Sequence, residues 1–234
     1  GEIGMNMNLY AYGAPDSQKW IMVDVGVTFA DDSLPGIDLI YADPGFIVDK
    51  KDSLLAIVLT HAHEDHIGAV AHIWPKLKCK MFATPFTAAL IYEKFKEKKI
   101  DISSFLNVVP LNSKIKLGAF EIDFVTLTHS ILEPNGLSIT TPEGVILHTG
   151  DWKVDTNPLI GGKVDEKKLR SIGEKGVIAM ICDSTNVFSP GRAGSENDVR
   201  ESLLKIISSQ KKRVLVTSFA SNVARLETIA AAAK

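Results

Sequence analysis

Leu59-Thr60-His61-Ala62-His63-Glu64-Asp65-His66-Ile67-Gly68 is the stretch from which the rest of this chain is read. Three of the six histidines in the 234-residue sequence fall here, with Asp65 beside the last of them. Upstream, Leu54 to Leu59 is an unbroken apolar run of strand length; downstream, Ile67 to Trp74 carries small and apolar residues at helical spacing. The histidines are therefore expected on the turn between a strand end and a helix start. Side chains two apart on an extended turn, His61 and His63, can converge on one ion. Entry into helix swings Asp65 and His66 towards a neighbouring point. Neutral imidazole and carboxylate suit zinc and similar divalent cations. A helix cap accounts for one such residue, and three imidazoles plus a carboxylate against an apolar strand are costly without a shared partner. In its strand-turn-helix setting the pattern reads as a metal site.

The hydrophobic fraction, 45%, is ordinary for a globular protein, and the length allows one large domain or one domain with part of another. A net charge of −2 neither supports a nucleic-acid partner nor argues against a local basic groove. No apolar run approaches a membrane span, and Gly1–Gly4 lacks the basic and apolar regions of a signal peptide. The expectation is a cytoplasmic protein with no membrane partner. Cys79 and Cys182, far apart and each at a strand end, read as reduced, packed thiols. The run Lys94 to Lys99 reads as the solvated end of a helix, with cations where a helix C-terminus favours them. Ala230 to Lys234 is alanine-rich with no stop signal, so the chain is expected to be a fragment of a longer protein.

Taken in order, Met5–Tyr12 and Trp20–Gly26 are predicted as a strand hairpin, residues 31–53 as loop-rich, Lys80–Ala83 as a strand and Pro85–Lys99 as a helix. Strands are predicted at 107–110, 114–117, 120–126, 136–140 and 145–148, and a polar helix at 165–175. The strand from Val177 ends in Asp183, beyond which come helix Glu196–Ser209 capped by Ser195 and Asp198, strand Val214–Thr217, and a helix from Asn222. The switch to βα alternation places a domain boundary near residue 190. Asp24, a carboxylate closing an apolar strand, needs a partner: nearby backbone amides, or the metal loop that it would orient. His129 ends a strand and becomes the obvious further imidazole for a site still short of a ligand. Asp151 follows a glycine at a strand end, where its two oxygens suit a bridge between two metals. His72 and His148 read as structural.

The segments GEIGMN (1–6), PGIDLIYAD (35–43), THAHEDHIGA (60–69), THS (128–130), HTGDWK (148–153), DSTN (183–186) and SFASN (218–222) together resemble the ribonuclease J family. That family is the bacterial and archaeal β-CASP branch of the metallo-β-lactamase superfamily, whose H-x-H-x-D-H signature spans residues 61–66. The resemblance implies an α/β fold, the metallo-β-lactamase αββα four-layer sandwich. Residues 1–190 would be its N-terminal portion and residues 191–234 the beginning of an inserted, truncated β-CASP α/β domain. It implies His61, His63, His129 and Asp151 around one divalent cation, and Asp65, His66 and the shared Asp151 around another. That second site would be completed by a histidine beyond this chain. Asp24 would orient the metal loop from behind, and Asp65 and Asp183 would take catalytic parts. The family's HSIP stands here as His129-Ser130-Ile131-Leu132, which alters a loop but removes no ligand.

The expected activity is hydrolysis of RNA phosphodiesters, 5′-to-3′ exonucleolytic and endonucleolytic, by hydroxide drawn from a water shared between two cations, with in-line attack at phosphorus. Zinc fits the donors best, and manganese also suits so many carboxylates. RNA is the expected partner, and a homo-oligomer, dimer or tetramer, the expected state of a full-length protein. The isolated 1–234 chain is expected to bind the second cation poorly and to turn over little. The alternatives are a DNA-directed nuclease, a small-molecule hydrolase of the same fold, and a metal-stabilised scaffold that binds RNA without cutting it.

Overall fold

The computed structural model describes residues 4–234, so the first three residues of the GEIGMN segment lie outside the described residues. Strands β1 (Asn8–Tyr12) and β2 (Lys19–Val23) form the expected antiparallel hairpin, with Tyr10 opposite Ile21. β1 starts later than predicted. The amides of Met5, at φ 52°, and Asn6 leave the hairpin and donate to Val27 and Asp65 carbonyls at 3.1 and 3.0 Å. The segment read as loop holds more structure than its turn residues suggest. A small hairpin, β3 (Val27–Phe29) with β4 (Leu39–Tyr41), is followed by the single-turn helix α1 (Gly45–Val48).

Next come β5 (Leu54–Val58), α2 (Glu64–Ile67), α3 (Val70–Leu77), β6 (Lys80–Ala83), α4 (Pro85–Glu97) and β7 (Leu106–Val108). The second half runs β8 (Lys114–Leu117), β9 (Phe120–Thr126), β10 (Asn135–Thr141), β11 (Gly144–His148), α5 (Glu166–Glu174), β12 (Val177–Ile181), α6 (Glu196–Ser208) and α7 (Val223–Ala232). Two five-stranded sheets result, ordered β1-β2-β5-β6-β7 and β12-β11-β10-β9-β8. In the first, β2, β5, β6 and β7 are parallel, so their C-terminal ends share one edge.

Period-two alternation sorts side chains between layers. From β2 and β5, Met22, Ile57 and Leu59 pack under α3 and α4 with Ile73, Trp74, Ile91 and Phe95. The opposite faces send Ile21, Val23 and Val58 against Phe120, Ile122, Phe124, Leu137 and Ile139 of the second sheet. On that sheet's outer face Val125 and Val145 pack with Ile172 of α5. Helices, sheet, sheet, helix: this is the expected four-layer αββα sandwich. Each fully buried aliphatic or phenyl side chain in the middle contributes about 1.5–3 kcal/mol, so the two inner faces hold the sheet edges in register.

Two expectations are corrected here. Val214–Thr217 forms no strand: among the described residues it has no ladder partner, and Leu215 is 88% exposed. An apolar alternation without a neighbour to hydrogen-bond cannot hold strand structure. The Lys94 end of α4 is also less free than predicted, because Lys94 Nζ reaches Glu64 Oε1 at 2.6 Å and ties α4 to α2. The helix from Glu196 is as read, with Ser195 and Asp198 forming a reciprocal capping box.

Candidate metal centre

The strand ends of both sheets meet at one edge. β5 runs out through Leu59 and Thr60 into His61, and His63 in extended conformation (φ −70°, ψ 151°) stands at the N-terminus of α2. The start of α2 is pressed against the loop after β2: Val25 N donates to His66 O at 2.7 Å, and Ala69 N to Val25 O at 2.9 Å. Gly26 makes this approach possible, since a Cβ there would lie 1.6 Å from the Asp65 carbonyl oxygen. From the second sheet, His129 follows β9 and Asp151 follows β11. Thr128 and Lys153 pair as an isolated antiparallel bridge, which joins those two loops. Gly150, at φ 55°, turns the chain so that Asp151 enters the edge.

The side chains form two groups whose donor atoms all lie within 4.8 Å of one another: His61, His63, His129 and Asp151; and Asp65, His66 and Asp151. In the first, His63 Nδ1 is 3.2 Å from His61 Nε2 and 3.1 Å from His129 Nε2. Asp151 faces both groups, Oδ2 at 3.7 Å from His129 Nε2 and Oδ1 at 3.2 Å from His66 Nε2. Asp65 Oδ2 lies 3.4 Å from the same His66 atom. All six side chains read from the sequence as ligands thus stand at one edge. Asp183 belongs to neither donor group but lines a small cavity with His66 and Asp151, and its Oδ1 accepts from Thr185 N at 2.8 Å within its own loop. His72 lies away from the centre, tilted against Tyr41 with ring centroids 5.7 Å apart.

Asp24 is fully buried, in the left-handed region at φ 62°, a conformation that aspartate and asparagine tolerate better than most residues. Its Oδ1 accepts from Thr60 N at 2.8 Å; its Oδ2 accepts from Thr60 Oγ1 at 2.9 Å and faces His66 Nδ1 at 2.7 Å. A hydrogen on His66 Nδ1 leaves the Nε2 lone pair turned to the Asp65–Asp151 side, which is the orientation a cation requires. Sequence reading missed several supports. His148 is buried with Nδ1 2.8 Å from Tyr10 Oη and Nε2 4.0 Å from Asp24 Oδ2, so it backs Asp24. Asn135 Nδ2 donates to Thr60 O at 3.1 Å and bridges the sheets. Asn6 reaches Asp65 and His66. Each depends on partners more than fifty residues away, and no local pattern marks it.

Charge follows the geometry. Burial, reinforced by the neighbouring imidazoles, holds His61 well below the ordinary histidine range, and His63 is lowered to about 4 for the same reasons. Burial also lowers His129. Burial opposes ionisation of Asp65 and Asp151 most, but the hydrogen bond to His66 and the charge of the neighbouring imidazoles together outweigh it and both are held low. His66 runs the other way: burial disfavours its charge, yet the Asp24, Asp151 and Asp65 carboxylates raise it well above the usual value. Neutral imidazoles at His61, His63 and His129 and ionised carboxylates are what a divalent cation takes, and a cation at the second group would displace the proton of His66, so the donor set fits two such ions. Beside His63 and Asp65 a groove of about 770 Å³ opens between Phe29, Phe86, Ser130 and Phe219. Both cysteines are free, and burial raises the Cys79 thiol to about 12, consistent with an inert packed group.

A mixed αββα sandwich with a His/Asp cluster at the strand ends defines a class: the chain belongs to the β-lactamase superfamily. The family model described as "Beta-lactamase superfamily domain" matches residues 19–170. Within that class it is similar to ribonucleases J, as the resemblance implied. It is 45% identical over 236 residues to Ribonuclease J of Sinorhizobium meliloti, covering 100% of this chain and 42% of the relative. It is 38% identical over 233 residues to Ribonuclease J 1 of Streptococcus pyogenes, covering 100% of this chain and 41% of that protein. The chain thus spans less than half the length of these relatives. Among solved structures, a protein of unknown function from Enterococcus faecalis superposes with a TM-score of 0.66 over 97% of this chain and 60% of that one. At 18% identity that is a likeness of fold alone. No helix among the described residues is long and apolar enough to cross a membrane.

Proposed function

We propose that this chain carries the catalytic centre of a metal-dependent ribonuclease that uses two divalent cations. One observation carries the reading: the Asp151 carboxylate presents one oxygen to each of two donor groups, in a chain 45% identical to a Ribonuclease J. His61, His63, His129 and Asp151 would hold one cation and Asp65, His66 and Asp151 the other. Zinc suits three neutral imidazoles best, with manganese the second choice for the carboxylate-rich group. When bound, such a pair lowers the pKa of water and neutralises charge on a phosphoryl group.

The chain's own residues supply the rest. Asp24 fixes the tautomer of His66. Thr128 and Lys153 lock the two second-sheet loops so that His129 and Asp151 do not drift. The groove past Phe29, Phe86 and Phe219 gives a single strand a route to the metal edge, with faces on which bases stack. Asp183 stands at the rim of the edge, where a general acid or its carboxylate partner belongs. Residues 191–234 are the start of a second unit that closes over the groove. The full-length protein would act in the cytoplasm as a homo-oligomer, by 5′-to-3′ exonucleolytic and endonucleolytic cleavage.

The test offers 5′-monophosphorylated RNA, matched single-stranded DNA and a chromogenic lactam, with Zn2+ or Mn2+ and with chelator. It uses the 234-residue chain and any longer chain that its gene encodes. Expected is cation-dependent loss of RNA only, abolished by Asp151→Asn, and far slower in the 234-residue chain, where the second group has three protein donors. Lactam hydrolysis, or equal cutting of RNA and DNA, would overturn the assignment.

A further inference from the structure

We infer that Asn6 is the positioning residue for the second cation: its carboxamide holds Asp65 in place against His66. This rests on the two-cation reading above. Asn6 grips Asp65 in three ways. Its backbone N–H donates to Asp65 O at 3.0 Å, and its side-chain Nδ2 donates to that same oxygen at 3.1 Å and to Asp65 Oδ2 at 3.4 Å. Nδ2 also lies 3.2 Å from His66 Nε2. The orientation of the amide follows from its neighbours. The Asp65 carbonyl oxygen can only accept, so the group facing it is the NH2.

The segment is held for this purpose by its main chain. Gly26 N donates to Asn6 O at 2.9 Å, so residue 6 is clamped between the loop after β2 and the first turn of α2. Asp65 is the least buried member of the second group beside Asp151, with about a third of its side chain exposed (30%), and a carboxylate at a helix start has free rotamers. Without the amide, Asp65 Oδ2 is free to swing into the groove beside His63. The carboxamide removes that freedom before the cation arrives. Its side-chain hydrogen bonds go to Asp65 and His66 and to none of His61, His63 or His129, so its effect belongs to one cation and not the other.

Co2+ is titrated into the 234-residue chain and into its Asn6→Ala and Asn6→Leu variants, reading the visible d–d bands and the two binding steps. Both variants keep the main-chain bonds of residue 6, and leucine keeps its volume, so the fold is retained in at least one. Expected is first-step binding within twofold of wild type, second-step binding weakened about tenfold and a changed second-step spectrum. A wild-type chain that takes up two ions, with variants matching its second step in affinity and spectrum, overturns this inference alone. A wild-type chain that takes up a single ion even at saturating Co2+ overturns the two-cation reading and this inference together.

Discussion

Asp24→Asn tests the machinery behind His66 with almost no change in shape. Asparagine tolerates the φ of 62° at this position, so backbone strain is not introduced. The replacement NH2 must take one of two places. In the Oδ2 position it meets His66 Nδ1, now 2.7 Å away, and two N–H groups cannot face each other. His66 must then accept at Nδ1 and carry its hydrogen on Nε2, which removes the lone pair from the Asp65–Asp151 side. In the Oδ1 position the NH2 meets Thr60 N, 2.8 Å away and fully buried, which strands an amide donor at a cost of about 1–3 kcal/mol. The buried imidazolium also loses its main counter-charge. The expected result is a loss of roughly 10- to 100-fold in affinity at the Asp65–His66–Asp151 group, equivalent to about 1.4–2.8 kcal/mol, or a matching loss of stability. Binding at the three-histidine group stays close to wild type. The assay is a two-step Zn2+ competition titration against a chromophoric chelator, paired with urea unfolding of the chelated protein. An Asp24→Asn chain with both steps and its urea midpoint unchanged would refute the reasoning.

Native mass spectrometry of His61→Ala and His129→Ala should each show loss of the first ion, and Asp151→Asn loss of affinity for both; unchanged stoichiometry in all three contradicts the proposed ligand set. Gly26→Ala would drive a Cβ to 1.6 Å from the Asp65 carbonyl oxygen, so urea unfolding should show destabilisation of at least roughly 1–3 kcal/mol. A midpoint equal to wild type would mean that α2 is not pressed against that loop. The metal-free chain should also lose stability in acid. His63 falls from 6.5 to about 4 on folding, and His61, His129 and His148 are lowered too. Between those values the unfolded chain binds more protons than the folded one, so stability rises with pH through the window and is lost as pH falls. His66, raised by its carboxylates, has the opposite sign, but its window lies above 6.5 and it stands alone against five lowered histidines, His72 among them. Urea midpoints in the presence of chelator, taken from pH 7 to pH 4.5, should drop steadily; a flat or rising series argues against neutral, buried imidazoles.

Much of this was legible because it is local. Apolar run, clustered histidines and helical spacing at 54–74 announce a strand end, a ligand turn and a helix, and those are consequences of neighbours in sequence. Asp24, His129 and Asp151 were legible as polar groups that close apolar strands. The late strand at 214–217 misled for the same reason: alternation states a preference for pairing, and only a partner strand satisfies it. The hairpin of β3 and β4 went unread because its strands are three residues each, too short for a period to register.

Which atoms converge was decided by the packing of two sheets. Their alternating apolar faces bring the ends of β2, β5, β9 and β11 to one edge, and that common edge makes Asp151 shared between two groups rather than a loop carboxylate. The supports of the site, Asn6 on Asp65, Tyr10 on His148 and Asn135 across the sheets, bind residues 59 to 138 positions apart. The amino-acid sequence by itself determined the donors, their chemistry and the strand ends that bear them, because side-chain type and local periodicity are written residue by residue. Tertiary structure alone decided which donors face each other and what holds them there. Hydrogen bonds between distant segments have direction and reach, and these exist only after the layers have closed.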